Sequence, residues 1–255
     1  MKWQFVAWTL LLGLVACTPI TPPASSHAPA LWNGVTPIGD IIAHPQAYEG
    51  KDVVVVAYYR GWDLFGEAGT GPPLTRSDVV VADATGGIYI VHGRANPNLP
   101  PLPPHQPSAT DVLLRVRGIV RISPTGQPYI DVMETSSVEG LPLGVVLRVR
   151  RHGTIAGLDE ELMVQEDGHA YLLDRKTSHK AHFTVDPQEL TRVLDRLRPY
   201  VEEREIGTPV PDTTIYDVTL WQGDKIRTLR IYEWQAPVEE ALRIIDRWYA
   251  RGRGE

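Results

Sequence analysis

Ser77-Asp-Val-Val-Val-Ala-Asp-Ala-Thr-Gly-Gly-Ile-Tyr-Ile-Val91 sets two short runs of β-branched and aromatic residues on either side of a turn. Such side chains fit a pleated surface, and adjacent glycines accept the dihedral angles of a tight hairpin. The stretch reads as two neighbouring strands, residues 78–83 and 87–91, bent at Gly86-Gly87. The same composition recurs on both sides of it, in KDVVVVAYY (51–59), VLLRVRGIV (112–120) and YIDV (129–132). Five short strands with glycines at the bends predict a small all-β barrel, closed or half-closed. Ahead of them Ile38, Ile41 and Ile42 fall at helical spacing before Pro45, which predicts a short amphipathic helix.

The runs IGDIIAHPQAYEGKDVVVVAYYRG, SDVVVADATGGIYIVHG, LLRVRGIV and QPYIDV resemble the OB-fold domains of exported bacterial proteins, over residues 36–140. The resemblance implies a ligand face on strands 2 and 3 and their flanking loops, for an oligonucleotide, an oligosaccharide or a protein. Charge argues against the first. The chain's net charge is −6, and residues 37–140 hold 7 Lys/Arg against 11 Asp/Glu, residues 145–255 17 against 20. Neither half has the basic excess that phosphate neutralisation requires, so no nucleic-acid partner is expected. Between the first two strands a long Gly-rich loop, residues 60–73, carries Trp62 and Phe65, which are the candidate ligand-loop residues or a plug for the barrel end. Its Gly66-x-x-Gly69-x-Gly71 lacks the strand before and helix after that a phosphate fingerprint needs. Residues 96–107 are Pro-rich and read as a stiff connection.

Beyond the punctuation of Glu139-Gly-Leu-Pro-Leu-Gly144 the pattern changes. Residues 146–150 alternate as a strand with one exposed face, and residues 162–173 form a hairpin turning at Asp167-Gly168. Asp186-Pro187-Gln188-Glu189 supplies an N-cap, a proline at N1 and an acid at N3, opening a helix that buries Leu190, Val193, Leu194 and Leu197 and runs to about Glu203. A second hairpin, residues 214–221 and 225–232, turns at Gln222-Gly223-Asp224. A last helix from Pro237 turns Val238, Ala241, Leu242, Ile245 and Trp248 inward. The expected fold class is therefore two domains: an all-β OB-like barrel with a short N-terminal helix (36–140), then an α+β domain, an antiparallel sheet with two helices on one face (145–253).

RHGTIAGLDEELMVQEDGHAYLLD, VDPQELTRVLDRL, DTTIYDVTLWQGDKIRTLRIYEW and APVEEALRIIDRW resemble emfourin, the protealysin-inhibitor family, over residues 147–251. Members bind thermolysin-like metallopeptidases. The family's Arg-x-Gly-Gly-Phe-Ala-Gly stands here as Arg151-His152-Gly153-Thr154-Ile155-Ala156-Gly157, with Thr in place of Gly and Ile in place of Phe, and its Asp-x-x-x-Tyr as Asp212 to Tyr216. The resemblance implies a peptidase-contact loop, formed by Arg151, His152, Gly153, Thr154, Ile155, Ala156, Gly157, Leu158 and Asp159, with residues 207–213 as the second candidate.

At the chain's start Met1-Lys2 precede an apolar run to Ala16, the length of a secretion signal and too short to span a bilayer. Leu14-Val15-Ala16-Cys17 resembles the lipobox of bacterial lipoproteins, which implies cleavage before Cys17 and acylation of the only cysteine in the chain. Two acyl chains suffice for stable anchoring. Residues 1–16 are then a signal peptide and residues 17–35, rich in Pro, Ser, Thr and Ala, a flexible tether. The expected location is the outer face of the bacterial cytoplasmic membrane, or the periplasmic or outer-membrane side in a diderm.

No Gly-x-Ser-x-Gly, His-Glu-x-x-His or Cys-x-x-Cys occurs, so neither an enzyme, a cofactor nor a metal site is expected. His179-Lys-Ala-His182 lacks a third nearby donor, the run Asp159-Glu160-Glu161 reads as a solvated turn, and Arg243, Arg247, Arg251 and Arg253 suit the negative end of the last helix. The functional expectation is a membrane-anchored extracytoplasmic lipoprotein that binds a protein, as inhibitor or sensor of a thermolysin-like metallopeptidase. The alternative is a non-inhibitory envelope protein whose barrel holds a glycan or protein ligand.

Overall fold

The computed structural model describes residues 30–92, 102–153, 157–232 and 236–255. The signal segment, Cys17, residues 18–29 of the tether, residues 96–101 of the Pro-rich connection, and Thr154, Ile155 and Ala156 of the candidate loop lie outside the described residues.

Five strands close into a barrel: β1 (Asp52–Tyr59), β2 (Val79–Asp83), β3 (Gly86–His92), β4 (Leu113–Ile122) and β5 (Pro128–Ser137). Their order is β1-β2-β3-β5-β4, with β4 returning to pair antiparallel with β1 and β3 parallel to β5. Alternate residues such as Val53, Val55, Ile88, Ile90, Leu114 and Val116 fill the interior. The hairpin between β2 and β3 turns at Ala84-Thr85, two residues earlier than the glycines suggest. Asp83 sets that turn: its Oδ1 accepts from the Thr85 amide at 2.7 Å and the Gly86 amide at 3.1 Å, a local alternative to a glycine-driven bend.

Helix α1 (Ile38–Ala43) places Ile38 and Ile41, both fully buried, into the barrel core, while Ile42 is 42 % exposed. Its first amide donates to Asp83 Oδ2 at 3.0 Å, fastening the helix to the β2–β3 turn. Pro45 does more than end it, because a second short helix, α2 (Pro45–Tyr48), starts there with proline at its first position.

The second half forms a seven-stranded sheet: β6 (Val145–His152), β7 (Asp159–Gln165), β8 (His169–Asp174), β9 (Lys180–Thr184), β10 (Glu205–Ile206), β11 (Ile215–Gln222) and β12 (Lys225–Ile231), in the order β10-β12-β11-β6-β7-β8-β9. It is antiparallel except at one edge, where β10 runs parallel to β12. Helices α3 (Pro187–Leu197) and α4 (Ala236–Arg253) cover one face, with Val193, Leu197, Leu242, Ile245 and Trp248 against Leu147, Val149, Leu162, Leu172 and Val218. Asp186 caps α3 by accepting from the Gln188 amide at 2.8 Å. The helix stops at Leu197, short of Glu203, because Pro199 supplies no N–H and its ring crowds the carbonyl one turn back; residues 198–200 tighten into a 3-10 turn.

The other face of this sheet is not solvated. Met163, Tyr171 and Leu173 pack against Val56, Tyr58, Phe65 and Leu113 of the barrel, so the molecule is layered helices, sheet, barrel. Of the connection 139–144, Leu141 is fully buried in this shared core. Residues 30–35, which composition assigns to the tether, are docked rather than free: Leu31 and Val35 join the same cluster and Val35 bridges Val54.

Candidate functional site

Strand register brings the two candidate loops together. Ile215, the first residue of β11, pairs with His152, and His152 pairs with Asp159 across the β6–β7 hairpin. Gly153, Gly157 and Leu158 and the segment 207–213 therefore lie at the same end of the sheet. Gly153 sits at φ +94°, and a Cβ there would meet the Thr213 carbonyl oxygen at 3.3 Å and Ile215 at 3.3 Å, so the approach of one loop to the other requires glycine. The Lys176 side chain, from the β8–β9 turn, crowds Gly157 from the other side. Val210, at the tip of the second loop, is 47 % exposed.

The base of the tip is held by ion pairs. Arg151 is 8 % exposed, its Nε donating to Glu160 at 2.9 Å, its Nη1 to Asp246 Oδ1 of α4 at 2.9 Å, and its guanidinium lying 4.2 Å from the Tyr249 ring centroid. The Tyr216 hydroxyl donates to the same Asp246 oxygen at 2.9 Å. The arginine and the tyrosine of the resemblance thus meet on one helix carboxylate, and Arg151 is a support rather than a contact residue. His152 Nε2 lies 2.9 Å from Asp217 Oδ2, and Arg230 donates to Asp217 Oδ1 at 2.6 Å. Burial opposes ionisation of Asp217, but hydrogen bonds from His152 and Arg230 prevail and hold its pKa at about 2. Asp159 accepts from Arg150 Nε at 2.8 Å. What remains outward is Gly153, Gly157 and Leu158 of the tip, the rim 207–213 and Lys176.

Arg150 leads into a buried charge network that joins sheet to barrel. Asp111, on the turn entering β4, accepts from Arg148 and Arg150 at 2.6 Å each. Glu161, fully buried, accepts from Arg148 Nε at 2.8 Å and lies 3.1 Å from Arg60 Nη2 and 3.9 Å from Arg175 Nε. Arg60 is itself fully buried, with Nε 2.7 Å from Glu67; its contacts with the two glutamates are charge pairs outside the angles of directed hydrogen bonds. The Tyr171 hydroxyl donates to Glu67 at 3.0 Å, and Arg148 and Arg175 lie over Tyr58 and Phe65. Burial works to raise the Glu161 pKa, yet Arg148, Arg60 and Arg175 together hold it far below the usual carboxylate range. The run Asp159-Glu160-Glu161 is therefore strand, not solvated turn, with Glu160 and Glu161 2 % and 0 % exposed. The arginine face of β6, read as exposed, is covered by the barrel.

In the loop 60–73 the two aromatics part. Phe65 is 4 % exposed and packs between barrel and sheet, which removes it from a ligand surface, whereas Trp62 is 51 % exposed beside His105. Gly61, at φ +59°, runs so close to the Pro104 carbonyl that no Cβ fits, and the Trp62 amide donates to that oxygen at 3.0 Å. A separate open cleft of about 600 Å³ lies between Thr70, Pro72 and Pro73 of this loop, Tyr89 of β3 and Gln127 before β5. Trp62 and Phe65 do not line it.

His179 and His182 do not converge: His179 Nε2 is 3.1 Å from the Gly252 carbonyl oxygen, and His182 stacks on Tyr171 at 4.9 Å, with burial lowering its pKa. Among the described residues no group of three or more His, Cys, Asp or Glu is arranged to hold a metal, and no helix is long and apolar enough to cross a membrane. The C-terminal arginines are engaged locally: Arg243 and Arg247 with Glu239 and Glu189, Arg251 with the Thr184 carbonyl, and Arg253 with Glu160. No protein-family profile matches the chain, and no curated protein matches it.

Proposed function

We propose that this chain is an exported lipoprotein, anchored through acylated Cys17, that recognises a protein with the loop end of its seven-stranded sheet, and that the partner is a thermolysin-like metallopeptidase which it restrains or senses. The observation that carries this reading is the approach of Gly153 to Thr213 and Ile215 over a base where Arg150 and Arg151 are ion-paired and His152 contacts Asp217. A loop that binds an enzyme cleft loses least entropy when it is preorganised, and paired strands with ion-paired bases supply that. On the same reading the barrel is an OB-type barrel; its strand order, closure and parallel β3–β5 pair support that assignment.

The test is cleavage of a peptide substrate by a thermolysin-like peptidase in the presence of the chain lacking residues 1–17. Stoichiometric loss of cleavage at micromolar protein is expected. Val210→Asp combined with Lys176→Glu, both at the rim, should weaken inhibition about tenfold or more, equivalent to roughly 1.4 kcal/mol, with the melting temperature unchanged. Undiminished cleavage by folded protein would remove the proposal for that peptidase.

The cleft beside Tyr89 favours a second reading, in which the barrel holds an envelope glycan or protein and the sheet does not inhibit. That reading expects full peptidase activity in the same assay.

A further inference from the structure

Large apolar side chains stand exposed at five positions among the described residues: Ile42, Trp62, Leu74, Met133 and Val210. The first four belong to the barrel half. Among the described residues of the sheet half Val210 stands alone, 47 % exposed, in the middle of the segment 207–213. A single exposed valine is ordinary on a protein surface. What sets this one apart is the backbone that carries it.

The segment leaves β10 and returns as β11, and both ends are fixed in the sheet. The Tyr232 amide donates to the Ile206 carbonyl at 2.9 Å just before the segment starts, and Ile215 pairs with His152 just after it ends. Proline stands on each side of Val210. Pro209 and Pro211 lock their own φ angles, and Pro211 also keeps Val210 out of the helical region. The Val210 carbonyl is held from the far side, accepting from the Thr213 hydroxyl at 2.9 Å and the Thr213 amide at 3.4 Å. Asp212, at φ +67°, turns the chain back between them. The fold itself has therefore met much of the ordering cost that a free segment would meet on binding. Asp212 is also the one charged residue of the seven, so covering this loop desolvates little charge.

We infer that Val210 is the residue through which the loop end discriminates among partners: its side chain fills one apolar pocket, sized for a branched aliphatic group, in the cleft of the peptidase. The inference rests on the proposed recognition of a metallopeptidase and names the specificity-determining residue of that surface. Pro209, Pro211 and Thr213 position it without needing contact of their own.

Inhibition constants of the chain lacking residues 1–17 against a thermolysin-like peptidase test this. Val210→Thr keeps the β-branched shape and exchanges one methyl for a hydroxyl, so the backbone is preserved and the apolar fit is lost. The inhibition constant is expected to rise about tenfold or more, from a lost methyl and a hydroxyl buried without a partner. Met133→Thr is the matched control, also 47 % exposed but on β5 of the barrel, and is expected to change the constant less than about twofold. An unchanged constant for Val210→Thr, or an equal rise for Met133→Thr, overturns the role of Val210 and leaves the inhibitor reading standing. Undiminished cleavage in the presence of folded unsubstituted protein overturns that reading and this inference together.

Discussion

Glu161→Ala is expected to destabilise the protein by about 3–5 kcal/mol, the range for removing one partner from a buried ion pair. The substitution leaves Arg60, Arg148 and Arg175 facing one another with one carboxylate fewer, and Arg60 has no route to water because its side chain is fully buried. Glu161→Gln keeps the volume and removes only the charge, so most of the loss should persist in it. The network links β6, β7 and the β8–β9 turn to the β1–β2 loop and the turn before β4, so barrel and sheet are expected to unfold in one transition. Urea unfolding followed by near-ultraviolet circular dichroism measures both quantities. A loss below about 1 kcal/mol, the level of an exposed pair, would show that the network contributes little.

Trp248→Ala should cost a similar amount, about 3–5 kcal/mol, by a different route. The indole is 1 % exposed among α3, α4 and the sheet, and its Nε1 donates to Glu189 Oε2 at 3.0 Å. Truncation opens a cavity that the surrounding strands cannot close, since they are paired on both sides, and deprives Glu189 of a donor. At this chain length the melting temperature should fall by roughly 10 °C. Trp248→Phe retains most of the volume and separates the two contributions: a small loss would assign the effect to packing, a large one to the hydrogen bond.

The barrel strands were legible because short runs of β-branched and aromatic residues fit a pleated surface, and each run is bounded by turn residues. The helix after Asp186 was legible from its cap and from proline at the first position. Glu189 was legible only as the acid at N3, because the side chains it bonds, Arg247 and Trp248, lie about sixty residues away. Distance in sequence also hid the charge network. Arg148 and Arg150 read as the exposed face of a strand and Glu161 as part of a solvated turn, and only the docking of the barrel, through Arg60 and Asp111, buries them. Strand β9 holds one large apolar residue, Phe183, and β10 only two residues in all, too little for periodicity to register. The docking of residues 30–35 was masked by their Pro- and Ser-rich surroundings, since Trp32 and Trp221, which meet across the fold, leave no local pattern.

Within the candidate site, the residues named from sequence divided by role. Arg151 and Asp159 hold the hairpin base, Phe65 belongs to the core, and Trp62 and Gly153 are exposed. Lys176, Asp217 and Asp246 went unnoticed because each comes to the loops from another strand or helix, a relation set by register and not by spacing.

Amide hydrogen exchange of the chain lacking residues 1–17, with and without an equimolar thermolysin-like peptidase, tests the central claim most directly. The account predicts added protection at residues 153–158 and 207–213 and none at residues 68–73 or 125–128 beside the barrel cleft. Protection confined to the cleft, or unchanged exchange at both loops in a peptidase-bound sample, would contradict it.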